Sequence, residues 1–254
     1  MKKAVATLTV VCVSLIIIGL MLTSISDAKI DPTSIILEWS LDGDVKDSSG
    51  QVNNGEIKGN PKWVDGKIGK ALQFDGVDDY VLVDIKGSVP QSITLQAWTY
   101  PSAKGIVFSE LGQGTINSGW HDSQMDVLST GEIKVGFWVG SEQGISLGTF
   151  SFNNWYHVTM TFDNSDNSIK GYVNGVLKKS GTLDKQYPGD LWYGIGAIDT
   201  TTLGAGAYFN GIIDEVAIFN VALKEEDIQA IVQGTAVSPG GKLTATWASI
   251  KEVR

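Results

Sequence analysis

The sequence predicts an all-β fold, on three observations. Short segments alternate apolar and polar residues with period two, the mark of strands with one buried face. Glycine and asparagine punctuate these segments at roughly 8–12-residue spacing. Before the tail that follows Gly234, helical periodicity shows at a single place. Taken in order, Ile35 to Leu41 sets Ile35, Leu37, Trp39 and Leu41 against Ile36, Glu38 and Ser40. Ser92 to Tyr100 sets Ile93, Leu95 and Ala97 against Thr94, Gln96 and Trp98. Glu132 to Val139 and Trp155 to Phe162 repeat the pattern, the second with Tyr156, Val158, Met160 and Phe162 on one face. Asn174-Gly175, between Tyr172-Val173 and Val176-Leu177, is a type I′ hairpin signal, because both central residues of that turn need positive φ. Turns are also expected at Ser129 to Gly131 and at Asp163 to Ser168. Lys224 to Gln233 carries Ile228, Ile231 and Val232 at helical spacing, and Gly234 is a stop. Many short strands with one short C-terminal helix mean a sandwich, barrel or jelly roll.

Composition narrows the function classes. The chain has 254 residues, of which 43% are hydrophobic, so it can bury a core. Its formal net charge is -9, from 19 Lys+Arg against 28 Asp+Glu. A phosphate-backbone binder needs a basic stripe, so no nucleic-acid partner is expected. The one cysteine, Cys12, excludes an intrachain disulfide and a cysteine-based zinc cluster.

The first 28 residues read as a targeting segment. Lys2 and Lys3 precede an uncharged, mostly apolar run from Ala4 to Leu22. Ser26-Asp27-Ala28 offers small residues for cleavage after Ala28. The run is also close to the ~20 residues that span a bilayer, so an uncleaved anchor over residues 4–22 is the competing reading. Either way an exported protein is expected, secreted or held at the cell surface, with a domain over residues 29–234 and a linker and tail over 235–254.

Five segments carry a family resemblance. Leu41-Asp42-Gly43-Asp44-Val45-Lys46-Asp47-Ser48-Ser49-Gly50 resembles the opening of the laminin G-like, concanavalin A-like jelly roll, to which the pentraxins are related. Gly66 to Gly76, then Asp79-Tyr80-Val81, is similar to its second signature. Ser92 to Pro101, Tyr172 to Gly175, and Phe209 to Phe219 with Ala222-Leu223 resemble later strands, a hairpin and the closing strand and helix. The order of the five covers roughly Ile35 to Gly234. The resemblance implies a two-sheet antiparallel jelly-roll sandwich. The fold hosts binding modules, adhesion domains and glycosidases alike, so function has to be read from the site.

Two sets of site residues are expected. Asp42, Asp44 and Asp47 crowd one loop, and oxygen-rich turns suit Ca²⁺. Asp214 sits among Ile212, Ile213, Val216 and Ile218, where a bare carboxylate is costly. It needs a metal, a basic side chain or several backbone N–H donors. The resemblance implies a structural calcium, with these four Asp as ligands; the alternative is turn capping. Asp75, Asp78 and Asp79 are read as a plain acidic turn. For a ligand, Trp120, His121 and Asp122 lie in a Gly/Ser-rich stretch expected to be a loop. Trp138, His157 and Tyr172 fall opposite the apolar positions of their strands and are expected to share a face with that loop, as a platform for sugar rings. Structural covering of a sheet face is the alternative.

Catalytic residues are not expected. Glycosidases need two carboxylates facing one cleft, and the adjacent Asp214-Glu215 point to opposite faces. His121 and His157, the only histidines, lie in no catalytic motif. The expected function is an exported non-catalytic recognition domain for a glycan or another extracellular ligand. A protein-directed adhesion or scaffold module is the alternative, and a glycoside hydrolase the third reading. Lys242 to Arg254 alternates weakly and fits an added strand, a short helix or a docking tag.

Overall fold

The computed structural model describes residues 30–112, 121–138, 142–184, 191–197 and 208–234. Near the start of the described residues, Asp31 caps a short 3-10 turn, Pro32–Ser34, through a 2.9 Å hydrogen bond from Thr33 N. Fifteen strands follow among the described residues: β1 (Ile35–Trp39), β2 (Glu56–Lys58), β3 (Lys62–Asp65), β4 (Lys70–Asp75), β5 (Tyr80–Asp84), β6 (Ile93–Pro101), β7 (Gly105–Leu111) and β8 (His121–Val127), then β9 (Glu132–Trp138), β10 (Glu142–Thr149), β11 (Tyr156–Asp163), β12 (Ser168–Val173), β13 (Val176–Thr182), β14 (Trp192–Ile195) and β15 (Asn210–Phe219). Helix α1 (Glu225–Val232) closes the domain.

The strands form two antiparallel sheets. The first runs β13-β12-β11-β6-β15-β4-β3, with β1 also paired to β15. The second runs β10-β9-β8-β7-β14-β5-β2. The expected jelly-roll sandwich is what forms. Its interior takes the alternating residues of both sheets, including Leu37, Trp39, Phe74, Phe108, Phe137, Phe162 and Tyr193. Phe137 and Phe162 meet across the layers, edge to face, with ring centroids 5.4 Å apart. Trp39 is fully buried, and its indole N–H reaches Asn53 O at 3.0 Å, so its one polar group is satisfied.

The hairpin signals translate directly. Asn174 and Gly175 have φ of 52° and 75°, as a type I′ turn demands. Asn167 and Gly131, also at positive φ, sit in the two other expected turns. Helix α1 presents Ile228 and Ile231 inward as read, and Gly234 ends it at φ 69°. Glu225, Glu226 and Asp227 in its first turn oppose the positive end of the helix dipole.

One expectation needs correction. β6 was expected to be half-buried, yet its second face is buried as well: Thr94, Gln96 and Trp98 are all shielded from water. The cover comes from segments remote in sequence. Ile30, Ile35, Tyr172, Ala217, Phe219 and Leu223 form a second apolar cluster with α1 on the outer side of the first sheet. Thr94 Oγ1 donates to Val221 O at 2.7 Å and accepts from Leu223 N at 2.9 Å, which ties β6 to the approach to α1. Lys67 lies 4.5 Å from the centre of the Trp98 ring, a cation–π contact over the other end of the strand.

Replacing Trp39 with Ala removes the largest inner side chain and orphans a carbonyl. It should cost about 3–5 kcal/mol in urea denaturation; a loss below ~1 kcal/mol would show that Trp39 is not central to the core.

Candidate functional site

The structure does not converge the four carboxylates expected to hold calcium. Asp47 closes its own loop instead: Oδ1 accepts from Glu38 N at 3.0 Å and Ser49 N at 2.9 Å, and Oδ2 from Asn53 N at 2.9 Å and Ser49 Oγ at 2.8 Å. Asp42 Oδ1 accepts from Lys70 N at 2.7 Å. Asp44 is exposed; the Lys46 ammonium and N–H hold its carboxyl below the usual range. Asp214 is fully buried, and its Oδ2 accepts from Ile68 N at 2.9 Å. Gly66 passes so close that a Cβ there would stand 2.6 Å from the same oxygen. β1 and β15 are neighbours, as expected, but Asp47 and Asp214 turn to different amides. Backbone amides thus meet Asp47, Asp42 and one oxygen of Asp214. Among the described residues, one carboxylate group has its oxygens within 4.8 Å of one another, and it is Asp75, Asp78 and Asp79.

The described residues do not assemble the aromatic platform either. Trp120 lies outside them, as do the side chains of His121 and Trp138. Asp122 is not in a loop: it belongs to β8, buried opposite Glu110, whose Oε1 accepts from Tyr193 OH at 2.9 Å. Trp138 belongs to β9 in the second sheet, while His157 and Tyr172 belong to β11 and β12 in the first. β9 and β11 pack across the core through Phe137 and Phe162, so their outward sets face in opposite directions. Tyr172, 2% exposed, lies in the cluster with α1, where burial pushes its phenol up. His157 is also buried, edge-on to Trp98 at 5.2 Å, with Nδ1 3.2 Å from Thr159 Oγ1. Burial pushes its imidazole down to about 3.

A polar cleft forms elsewhere. It has a volume of about 400 Å³ and opens between β3, β4, the turn into β5 and the start of β15. The turn is built by its own acids. Asp75 Oδ1 accepts from Val77 N at 2.8 Å, across Gly76 at φ 79°. Asp79 is buried; its Oδ1 accepts from Asn60 N at 2.7 Å and its Oδ2 from Asp75 N at 3.1 Å. Asn210 Nδ2 donates to Asp75 O at 2.9 Å, which fixes the amide at the cleft wall. Lys62 and Gln73, cross-strand partners on β3 and β4, line the cleft with Asn60, Asp78 and Phe74. Tyr80 and Tyr208 stand nearby, half-buried, with ring centroids 6.4 Å apart. Burial raises the Tyr208 phenol, and Tyr80 and Asp78 add to the rise. Carboxylates, amides and an ammonium around an open cleft can donate to and accept from hydroxyls, and phenol rings beside them offer flat apolar surface.

Sequence reading saw Asp75, Asp78 and Asp79 as a turn and missed Asn60, Lys62, Gln73 and Asn210. Strand pairing brings Lys62, Gln73 and Asn210 together, the bond to Asp79 holds Asn60, and no local motif marks them.

Residues 75–229, from the cleft's first carboxylate into helix α1, match the model of the concanavalin A-like lectin/glucanases superfamily. The chain belongs to this superfamily. Among solved structures, this lectin/glucanase-superfamily domain resembles domain 4 of AbnA, a GH43 extracellular arabinanase from Geobacillus stearothermophilus, solved in complex with arabinotriose. The identity is 20% and the TM-score 0.57, over 80% of this chain and 98% of that one. It also resembles the binding domain of botulinum neurotoxin serotype D, at 18% identity and TM-score 0.61, over 80% of this chain and 52% of that one. The receptor-binding domain of type G matches at 16% identity and TM-score 0.60, over 79% and 51%. The chain thus spans about half the length of the toxin domains. These likenesses are ones of fold. No curated protein matches the sequence.

Two outcomes follow. Asp47→Ala should lose about 2–4 kcal/mol, because it strands three amides at a charged acceptor. The loss should be the same with and without chelator; a calcium-dependent difference would restore the metal reading of the loop. His157 stays neutral in the folded state to pH about 3, whereas the unfolded chain takes up that proton near 6.5. The unfolded state therefore binds more protons between those values, and stability falls as pH falls through them. The slope from this residue is about 1.4 kcal/mol per pH unit. His157→Gln should flatten the decline measured by urea denaturation from about pH 6.5 to about pH 4, and an unchanged slope would refute the buried neutral imidazole.

Proposed function

We propose that the chain is an exported, non-catalytic recognition domain that binds a glycan in the cleft between Asp75 to Asp79 and Asn210. The single observation behind this reading is the cleft's lining. Asn60, Lys62, Gln73, Asp78 and Asn210 offer donors and acceptors on a rigid frame of strands and one tight turn. Such convergence suits a ligand rich in hydroxyls. The fold it shares with an arabinanase domain solved with arabinotriose supports the same class of ligand. Export is supported by the basic Lys2-Lys3 start and the apolar run to Leu22.

The non-catalytic part is supported by what the carboxylates do. Asp79 and Asp75 accept backbone amides to build the turn, and those bonds oppose service as a proton donor.

The test is a glycan array, followed by calorimetric titration of the intact chain with the best neutral oligosaccharide, arabinotriose included. Asn210→Ala and Asp78→Ala should each weaken binding at least tenfold, about 1.4 kcal/mol. Each should leave the melting temperature nearly unchanged, because Asp78 is exposed and Asn210 half-exposed. A chain that binds no glycan but captures an extracellular protein would favour the adhesion reading. Release of reducing sugar, abolished by one carboxylate substitution, would make it a hydrolase.

A further inference from the structure

The described domain begins and ends at one pole. Ile30, 2% exposed, packs in the same cluster as Leu223, Ile228 and Ile231, and Gly234 leaves directly from α1. Beside the start of the helix a second cleft opens, about 310 Å³ in volume. Its apolar part is Ile30, Val221, Ala222 and Leu223, and Val221 is 38% exposed there. Its rim is acidic. Asp31 and Asp227 line it, Glu225 and Glu226 stand beside it in the first turn of α1, and Lys224 is the one basic residue of the lining. Burial pushes the Asp227 carboxyl up, so a cation at this rim would relieve a cost already present.

The chain's last residues have the complementary chemistry. Leu243, Trp247, Ile250 and Val253 recur at i, i+4, i+7 and i+10, one stripe of a helix. Lys242, Lys251 and Arg254 stand against Glu252, a side-chain balance of +2. The reach is sufficient. Helix α1, with 8 residues, is about 12 Å long. The Thr235 to Gly241 linker extends to roughly 23 Å, and its Ser238-Pro239-Gly240-Gly241 run favours a reversal. A segment leaving the far end of α1 can therefore return to the cleft at its near end.

We propose that residues 242–254 dock in this cleft, with Trp247 against Val221, Ala222 and Leu223 and the basic side chains against Asp31 and Asp227. Docking adds a second layer over the outer side of the first sheet and ties down α1, which is otherwise held by one apolar face.

Disulfide trapping in the full chain tests this, with Cys12→Ser removing the native thiol. Val221→Cys with Ser249→Cys should cross-link within the chain in more than half of the molecules under mild oxidation. Val77→Cys with Ser249→Cys is the control, because Val77 is exposed next to the glycan-site turn at the opposite end of β15; less than a tenth should cross-link. Adding Trp247→Ala to the first pair should lower the yield at least fivefold. Equal yields at Val221 and Val77, or no yield at either, would overturn docking. So would a yield that survives Trp247→Ala unchanged, or one found only as disulfide-linked dimers, which would assign the cleft to a second copy. Efficient cross-linking of Val221→Cys to Ile25→Cys instead would assign it to the N-terminal segment.

Discussion

Nine of the ten residues from Asn210 to Phe219 make β-ladder pairs, the tenth, Glu215, sits in the bulge that interrupts them, and eight of the ten are buried. A strand so placed cannot leave its backbone to water, so β15 must be paired on both flanks. β6 serves one flank along most of its length. The other flank is shared: β4 pairs Asn210 to Ile213, and β1 pairs Val216 to Phe219. The join between those partners falls at Asp214 and Glu215. There the β6 register slips, and Glu215 adopts φ 54°, a conformation that costs a non-glycine residue energy. The amide of Ile68 fills the join by donating to Asp214. A buried carboxylate in an apolar run thus coincides with the point where β15 exchanges one partner strand for another.

The same constraint separates what was legible in the sequence from what was not. Inner faces could be read because period two is local: Ile133, Val135 and Phe137 needed no knowledge of their partners. The Asn174-Gly175 turn was equally local, set by the backbone conformation that those residues tolerate. Outer faces could not be read. Whether Thr94 meets water depends on Val221 and Leu223, and whether His157 does depends on Trp98, all far away in the chain. Alternation also says nothing of which sheet a strand joins: β9, which holds Trp138, and β11, which holds His157, lie in different sheets.

The aspartates show the matching difficulty for sites. Asp47, Asp79 and Asp214 all accept backbone amides, the first two from loops and the third from within β15. In sequence Asp47 and Asp214 could be read as cation ligands or as acceptors of backbone amides, while Asp79 was read as plain turn chemistry. The cleft was hidden for another reason. Asn210 meets Asp75 only through the β15–β4 register, and Lys62 meets Gln73 only through β3–β4. Four of its polar groups thus depend on two strand pairings, and a one-residue slip in either would send half of them to the interior.

β15 also sets how the molecule can be mounted. Its first residue borders the polar cleft and its last packs under helix α1, where the chain enters and leaves. Ten residues of extended strand, about 30 Å, separate the two. The described domain's first and last residues, Ile30 and Gly234, thus stand at the α1 end of β15, a strand's length from the cleft. The point of attachment and the opening are therefore built from opposite ends of one strand, and sequence change at either end leaves the pairing of the other in place.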